Sequence, residues 1–414
     1  MVQCPDRIIA SIDTGVDDAL ALAYLLGSTD ECELGGVIAS YGNVDANTAY
    51  ANTCAVLDLF GRADIPVFLG SEHPSWADAF IPDAGCAQFH GDDGLGNTRL
   101  AGSGALADGA GVPGDDMSGD DMSGDDMSGD DMSGDDMSVD VPDEVVSVGG
   151  YLAGDVHAHP ALGACSRVNR SRSVGHPQST MPTALASGGK RRCSVDAADG
   201  IEYLIEQVRE FGRDVTVLAT GPLTDVDAAI TRAPDIASKL RLVMMGGTLT
   251  QPGNCWDAVA ETNIIQDPEA ANRVFHSGAD ITMVGLDVTH QCLLPQSAAD
   301  RWRATGTKRG RFLADLADFS IKANLEADPA LFSGGMPLHD PLAAGALDSS
   351  LVDCFDLALR AETNTGDFNG VRGRTTGDPV GLVNHSMPHV HVALGVDSER
   401  FLDEFVERMA EVCR

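Results

Sequence analysis

Near the start of the chain a short apolar run ends in a carboxylate, Arg7-Ile-Ile-Ala-Ser-Ile-Asp13, and the helical pattern DDALALAYLLG, closed by Gly27, follows within four residues. The first segment has the length and apolarity of a buried strand, the second those of a helix. A second pair repeats the alternation: the strand LGGVIAS, then a helix from Asn47 to Phe60, then the short strand PVFLG. Strands that alternate with helices in this way predict a parallel sheet with helices on its faces. After a long interruption the pattern resumes with the helix AADGIEYLIEQVREFG, the strand DVTVLAT, a helix from Pro222, the strand RLVMMGG and the apolar segment ITMVGLDV. Ala298 to Leu325 and Asp397 to Val412 are expected to be helices. The expected fold is therefore α/β, an open and mainly parallel Rossmann-like sheet flanked by helices, with residues 1–100 and 196–414 forming one domain.

The interruption, residues 101–195, carries the unit GDDMS five times in tandem from Gly114 to Ser138. A unit of Gly, two Asp, Met and Ser has no apolar face to bury, so a low-complexity, disordered acidic insert is expected. A calcium-binding repeat is the competing idea, but the unit lacks the large apolar residue that stacks the coils of a β-helix.

The acidity is not confined to the insert. The chain has 414 residues and a net charge of −36, from 63 acids and 27 bases; 15 acids and 6 bases lie in residues 101–195, which leaves 48 acids against 21 bases elsewhere. Phosphates would be repelled, which argues against nucleic acid as a partner. Four lysines against 23 arginines, with this acid excess, suggest adaptation to high salt, where mutual repulsion is screened. Thermal melts in rising KCl would register that dependence.

The ten cysteines are scattered singly, without a CxxC pair or a zinc-type Cys/His cluster, and are expected to be reduced intracellular thiols. The start MVQCPDRIIASID lacks the charged beginning and long apolar core of a signal peptide, and no apolar run reaches the length of a membrane span. A soluble, cytoplasmic protein is the expectation.

Chemistry enters at Asp13, Asp17 and Asp18. The first strand delivers Asp13 at its carboxyl end, where ligands bind in parallel sheets, and the turn Thr14-Gly15-Val16 leads to the other two at the start of the next helix. Three carboxylates within six residues repel one another unless a cation sits among them, and hard oxygen donors favour calcium or magnesium over zinc. Helix capping by Asp17 and Asp18 explains the same pattern. Both remain open on this motif alone.

Other segments add to it: His339-Asp340-Pro341, the turn TGPLT from Thr220, and MGG from Met245. Together with SIDTGVDDALAL, ASYGNV, HGDDGLG, LATGPLTD, PGNCWDAVAETNIIQDPEAA, ITMVGLDVTH and MPLHDPLAA they occur in one order along the chain. In these segments the sequence resembles the inosine-uridine-preferring nucleoside hydrolase family, over about Arg7 to Asn97 and Ala197 to Arg414.

The resemblance implies a nucleoside hydrolase fold and cleavage of a ribonucleoside to ribose and free base. It implies that Asp13, Asp18, Asp340 and the Thr220 carbonyl are calcium ligands, that the ion also holds the attacking water and two ribose hydroxyls, and that Asp13 is the general base. Asp17, Asn43, Asn254, Glu261 and Asn263 then fall on ribose-binding positions, with Met245 lining the pocket and His90 and His339 on the leaving-base side. In purine-active members the residue matching His339 donates a proton to the departing base. The implied partner is a small nucleoside, and the implied assembly a homodimer or homotetramer. Charge agrees, because a glycosidic bond that breaks toward an oxocarbenium ion is favoured by surrounding carboxylates and amide oxygens.

The chain departs from that pattern at Ser11, where the usual Asp-Thr-Asp opening has its first carboxylate. Two other classes share parts of this pattern. An aspartate-nucleophile phosphatase needs a second Asp where this chain has Gly15. A non-catalytic divalent-cation-binding protein with a degenerate hydrolase body would rest on the Asp-rich repeat.

Overall fold

The computed structural model describes residues 7–28, 32–82, 84–98, 100, 193–255, 259–365, 371–378 and 386–414. The GDDMS repeats, and the expected insert up to residue 192, lie outside the described residues.

In chain order the elements begin β1 (Arg7–Ile12), α1 (Val16–Leu26), β2 (Glu33–Ala39), α2 (Ala46–Leu59), β3 (Val67–Leu69) and α3 (Ala84–His90). They continue as β4 (Cys193–Ser194), α4 (Ala197–Phe211), β5 (Val215–Ala219), α5 (Thr224–Arg232), β6 (Arg241–Met245), α6 (Thr262–Gln266), α7 (Pro268–Phe275) and β7 (Asp280–Val284). The last part holds α8 (Leu286–Thr289), β8 (Leu293–Leu294), α9 (Gln296–Arg303), α10 (Lys308–Ala327), β9 (Met336–Pro337) and α11 (His339–Gly345), then β10 (Val352–Ala361), β11 (Thr375–Asp378), β12 (Val390–Val396) and α12 (Ser398–Val412).

Ten strands form one sheet in the order β11-β10-β12-β7-β6-β5-β1-β2-β3-β4. All neighbours from β12 to β4 run parallel, and β10 and β11 extend the sheet antiparallel at one edge. The mainly parallel α/β sheet expected from the alternation is thus present. The antiparallel edge has no such signature, since in β10 the exposed Asp353, Cys354, Phe355 and Asp356 break any alternation. Cys193 and Ser194, grouped with the insert on composition, pair with Val67 and Phe68 as the opposite edge strand.

Side-chain alternation in β1 explains the layering. Ile8, Ala10 and Ile12 join the core shared with α1, α2, α10, α11 and α12, whereas Ile9 joins the other core with α4, α5 and α7. A strand covered on both faces has no polar side to show, which is why RIIASI reads as a continuous apolar run. Each of these isoleucines contributes about 1.5–3 kcal/mol on full burial. α1 is buried from Val16 to Leu25, so it too lacks a polar stripe.

One expected helix is two. Between α9 and α10 the chain turns at Thr305-Gly306-Thr307, where Gly306 takes φ +70° and the Thr307 hydroxyl oxygen accepts from Gly310 N at 3.0 Å as the new N-cap. The apolar periodicity on either side hides the interruption.

From β1 the chain builds outward through β2 and β3, then returns to the other flank of β1 as β5, β6 and β7. The order reverses between β1 and β5, and the crevice beyond their carboxyl ends is where such sheets place ligands. Asp13 follows β1 there, and Thr220 follows β5.

Candidate active site

Asp13 leaves β1 fully buried, and its Oδ2 accepts from Asn43 N at 2.8 Å. Gly42 precedes that amide because a Cβ there would collide with the Asp13 carboxylate. Gly15 is the N-cap of α1, and a Cβ on it would strike both His90 and Asn43. Asp18 reaches back to this cap: its Oδ2 accepts from Gly15 N at 2.8 Å and Asn43 Nδ2 at 3.2 Å, and its Oδ1 from the Thr220 hydroxyl at 2.6 Å. The capping reading therefore holds for Asp18 in part.

It does not account for Asp13 and Asp17. Each keeps a buried Oδ1 with no hydrogen-bond partner. Asp17, Asp18 and Asp340, the last from the first turn of α11, bring carboxylate oxygens within 4.8 Å of one another. Burial raises the pKa of all four acids, Asp17 to about 6 and Asp13 and Asp340 well above the usual carboxylate range, and neighbouring carboxylates add to the rise for Asp13, Asp18 and Asp340. His90 Nδ1 lies 3.6 Å from Asp17 Oδ1, but burial holds its pKa down to about 4, so it brings no positive charge. Unpaired buried carboxylates are costly unless a cation neutralises them, and an all-oxygen donor set fits a hard divalent ion. The residues present fit a metal.

Beside this corner lies a cavity of about 400 Å³, of the size that takes a small organic ligand. Asp17, Asn43, His90, Thr220, Met245, Asn254, Asn263, His339 and Asp340 line it. Asn263 Nδ2 donates to the Thr220 carbonyl at 2.7 Å and the Met245 carbonyl at 3.2 Å, which ties the ends of β5 and β6 together. Asn254 Oδ1 accepts from Thr262 N and the Thr262 hydroxyl. Of the residues that the resemblance points to, Asp13, Asp18 and Glu261 stand behind the wall rather than on it. Glu261 serves as N-cap of α6 and as a brace, accepting from Asn263 N at 2.9 Å, Ile264 N at 3.1 Å and Gly247 N at 2.8 Å.

The rest of the cavity lining is uncharged and partly aromatic. His339 Nδ1 pairs with the Thr289 hydroxyl at 2.8 Å, and burial with two neighbouring imidazoles pushes its pKa well below the ordinary value. His90 Nδ1 accepts from Val16 N at 3.2 Å, leaving its proton on Nε2. His290, Phe332, Ser320 and Asn324 complete this part. Composition gives none of them away; only His290 sits in a quoted segment, closing ITMVGLDVTH.

Ser11, the departure from the expected opening, is buried and donates to Asp225 Oδ2 at 3.3 Å. The same carboxylate accepts through Oδ1 from Ser71 N at 2.7 Å and the Ser71 hydroxyl at 2.6 Å. A carboxylate absent from β1 is thus present on α5, one hydrogen bond away.

Comparison with known proteins places the chain. The family model "Inosine-uridine preferring nucleoside hydrolase" matches residues 8–403. The pyrimidine-specific ribonucleoside hydrolase RihA of Enterobacter sp. (strain 638) is 29% identical over 406 residues, covering 98% of this chain and 97% of that protein. Among solved structures, a purine-preferring ribonucleoside hydrolase from Gardnerella vaginalis is 32% identical with a TM-score of 0.72, over 98% of this chain and 99% of that one. A plant nucleoside hydrolase, the PpNRh1 enzyme, is 26% identical with a TM-score of 0.68 over the same shares. With the match extending over nearly the whole chain, the protein belongs to the inosine-uridine preferring nucleoside hydrolase family and is an N-glycosyl hydrolase acting on ribonucleosides.

Proposed function

We propose that the chain hydrolyses the N-glycosidic bond of ribonucleosides with the carboxylate corner holding Ca²⁺ and with Asp13 as general base. The observation that carries this is the pair of buried, partnerless oxygens on Asp13 and Asp17 beside a cavity that neutral histidines also line. Asp13, Asp18, Asp340 and the Thr220 carbonyl would hold the ion, which when bound positions and acidifies a water and grips ribose hydroxyls.

The remaining work falls to the chain. Asp13 takes the proton of the attacking water, a role that typically supplies ~10²–10⁴-fold. Asp17 and Asn263 face the ribose from the wall, with Asn43 and Asn254 beside them, and their oxygens favour the positive charge that grows on the sugar. Glu261 acts from behind by fixing Asn263. Among the histidines, Nε2–H of His90 is available to a leaving base, and His339 is oriented for the same purpose by Thr289. A donor there stabilises the electron pair the base carries away.

The test is direct: inosine or uridine with Ca²⁺ should release reducing sugar, and Asp13→Ala should not. Absence of release from inosine, adenosine, uridine and cytidine alike would overturn the proposal. The same panel ranks purine against pyrimidine. A non-catalytic cation-binding protein is not favoured, since an ion buffer has no use for the amide-lined wall and the histidines.

Among the described residues no helix is long and apolar enough to cross a membrane. The scattered cysteines, without a CxxC pair, support a reducing, cytoplasmic setting. The acid excess supports dependence on salt, and the resemblance supports a dimer or tetramer, which light scattering would count.

A further inference from the structure

His290 lies on the uncharged part of the cavity lining, and none of the roles above uses it. It closes α8, a single helical turn that is firmly seated. Asp287 accepts from Leu249 N at 2.8 Å and Thr250 N at 2.7 Å, and Leu286 N donates to the Gly247 carbonyl at 3.0 Å. The neighbouring Thr289 holds His339, so two adjacent residues of one turn address the same wall.

The imidazole of His290 is held by rings rather than by hydrogen bonds. Phe332 meets it edge to face at 5.5 Å and 84°, and His339 lies 5.7 Å away at 59°. Among the described residues neither of its ring nitrogens has a hydrogen-bond partner, although the ring lines the cavity. Burial lowers its pKa, so it presents one N–H donor and one bare nitrogen. A partly buried ring with both capacities unused is matched by a planar ligand whose rim alternates carbonyl, amino and ring-nitrogen groups, as a nucleobase does.

We propose that His290 is a specificity-determining residue that hydrogen-bonds the polar rim of the base, farther from the ribose than His339, and so weighs one base against another. The inference rests on the ribonucleoside hydrolase reading. It differs from the role of His339, which concerns the departing electron pair.

The experiment compares wild type, His290→Ala and His290→Asn on inosine, adenosine, uridine and cytidine, and on 4-nitrophenyl β-D-ribofuranoside, whose leaving group carries no amide or ring nitrogen. His290→Ala should lower kcat/KM about tenfold for the preferred nucleoside, the size of one lost hydrogen bond, and change the ratios among the four. Its rate on the nitrophenyl riboside should stay within about twofold of wild type, because that leaving group has no rim to read. His290→Asn keeps a donor and an acceptor and should recover part of the loss. Unchanged ratios among the nucleosides overturn the proposal, and so does an equal fall on every substrate, which marks a packing role. If wild type cleaves the nitrophenyl riboside and no nucleoside, this inference fails while ribosyl hydrolysis stands. If wild type cleaves neither, the functional reading falls and this inference with it.

Discussion

The carboxylate corner and the histidine-lined part of the cavity are built on opposite principles. The carboxylate corner comes largely from one strand, one turn and one helix start, residues 13–18, fixed by hydrogen bonds to Asn43 and Thr220. The histidine-lined part is assembled from α3, the end of α8, α10 and the 332–339 segment, which lie far apart in the chain, with His290, Phe332 and His339 meeting by ring packing. One is charged and overfilled with like charges; the other is neutral and keeps unused hydrogen-bonding capacity. The contrast suggests that sugar handling is a rigid, shared requirement and base handling an adjustable one.

The sharpest way to separate the two is Asp13→Asn, which preserves shape but removes the proposed base. Turnover of inosine or uridine should fall about 10³-fold, within the range for positioned general bases, while the melting temperature hardly drops. A fall of less than tenfold would move the base role elsewhere.

Next in size is Ser11→Asp, which sets a second buried carboxylate against Asp225. It should destabilise the fold by roughly 3 kcal/mol, as uncompensated buried charges do, and the double variant Ser11→Asp/Asp225→Asn should recover most of that. Thermal melts measure both; additivity of the two substitutions would show that the pair is not matched.

The charged corner also makes a pH prediction. Asp17 moves from 3.8 to about 6 on folding, so its contribution to stability is complete below the lower value and lost as pH rises through the upper one. For Asp17 alone that is about 3 kcal/mol between pH 4 and pH 8 without metal, and Asp13, Asp18 and Asp340 shift in the same direction. Ca²⁺ should therefore raise the melting temperature more at pH 8 than at pH 5, where protons compete for the same oxygens. Equal increments at both pH values would count against ion binding at these carboxylates.

In the neutral part, His339→Ala should slow nucleoside turnover about 10²-fold yet leave the Ca²⁺-induced rise in melting temperature intact. Loss of that rise would mean that the two are not independent.

The same contrast governs what the sequence could disclose. Asp13, Asp17 and Asp18 were legible because a strand, a turn and a helix start fix their neighbourhood locally, and the strand–helix alternation made the parallel sheet legible in the same way. Asp340 and Thr220 join that corner only through tertiary contacts, from α11 and from the end of β5, so they come through the family resemblance. Glu261 was placed in the ribose set, but its part as a buried brace depends on Gly247 and Asn263, which no local pattern reveals. The interruption at Gly306 was masked by apolar periodicity on both sides. His290 stood in a recognised segment without a role, because its meaning comes from Phe332 and His339, some forty and fifty positions away.

Ser11 and Asp225 bear on how such chains diverge. A comparison made one column at a time scores Ser11 as the loss of an acid from an otherwise preserved opening. In space a carboxylate stands within one hydrogen bond of that position, supplied by α5 instead of β1. A lineage that moves it must pass through an ancestor with either two acids facing each other or none. The second route loses only hydrogen bonds, whereas the first buries a repulsion, so the helix acid is expected to arise after the strand acid has gone. Substitutions at these two positions are therefore coupled, and the effect of either depends on which partner is already in place.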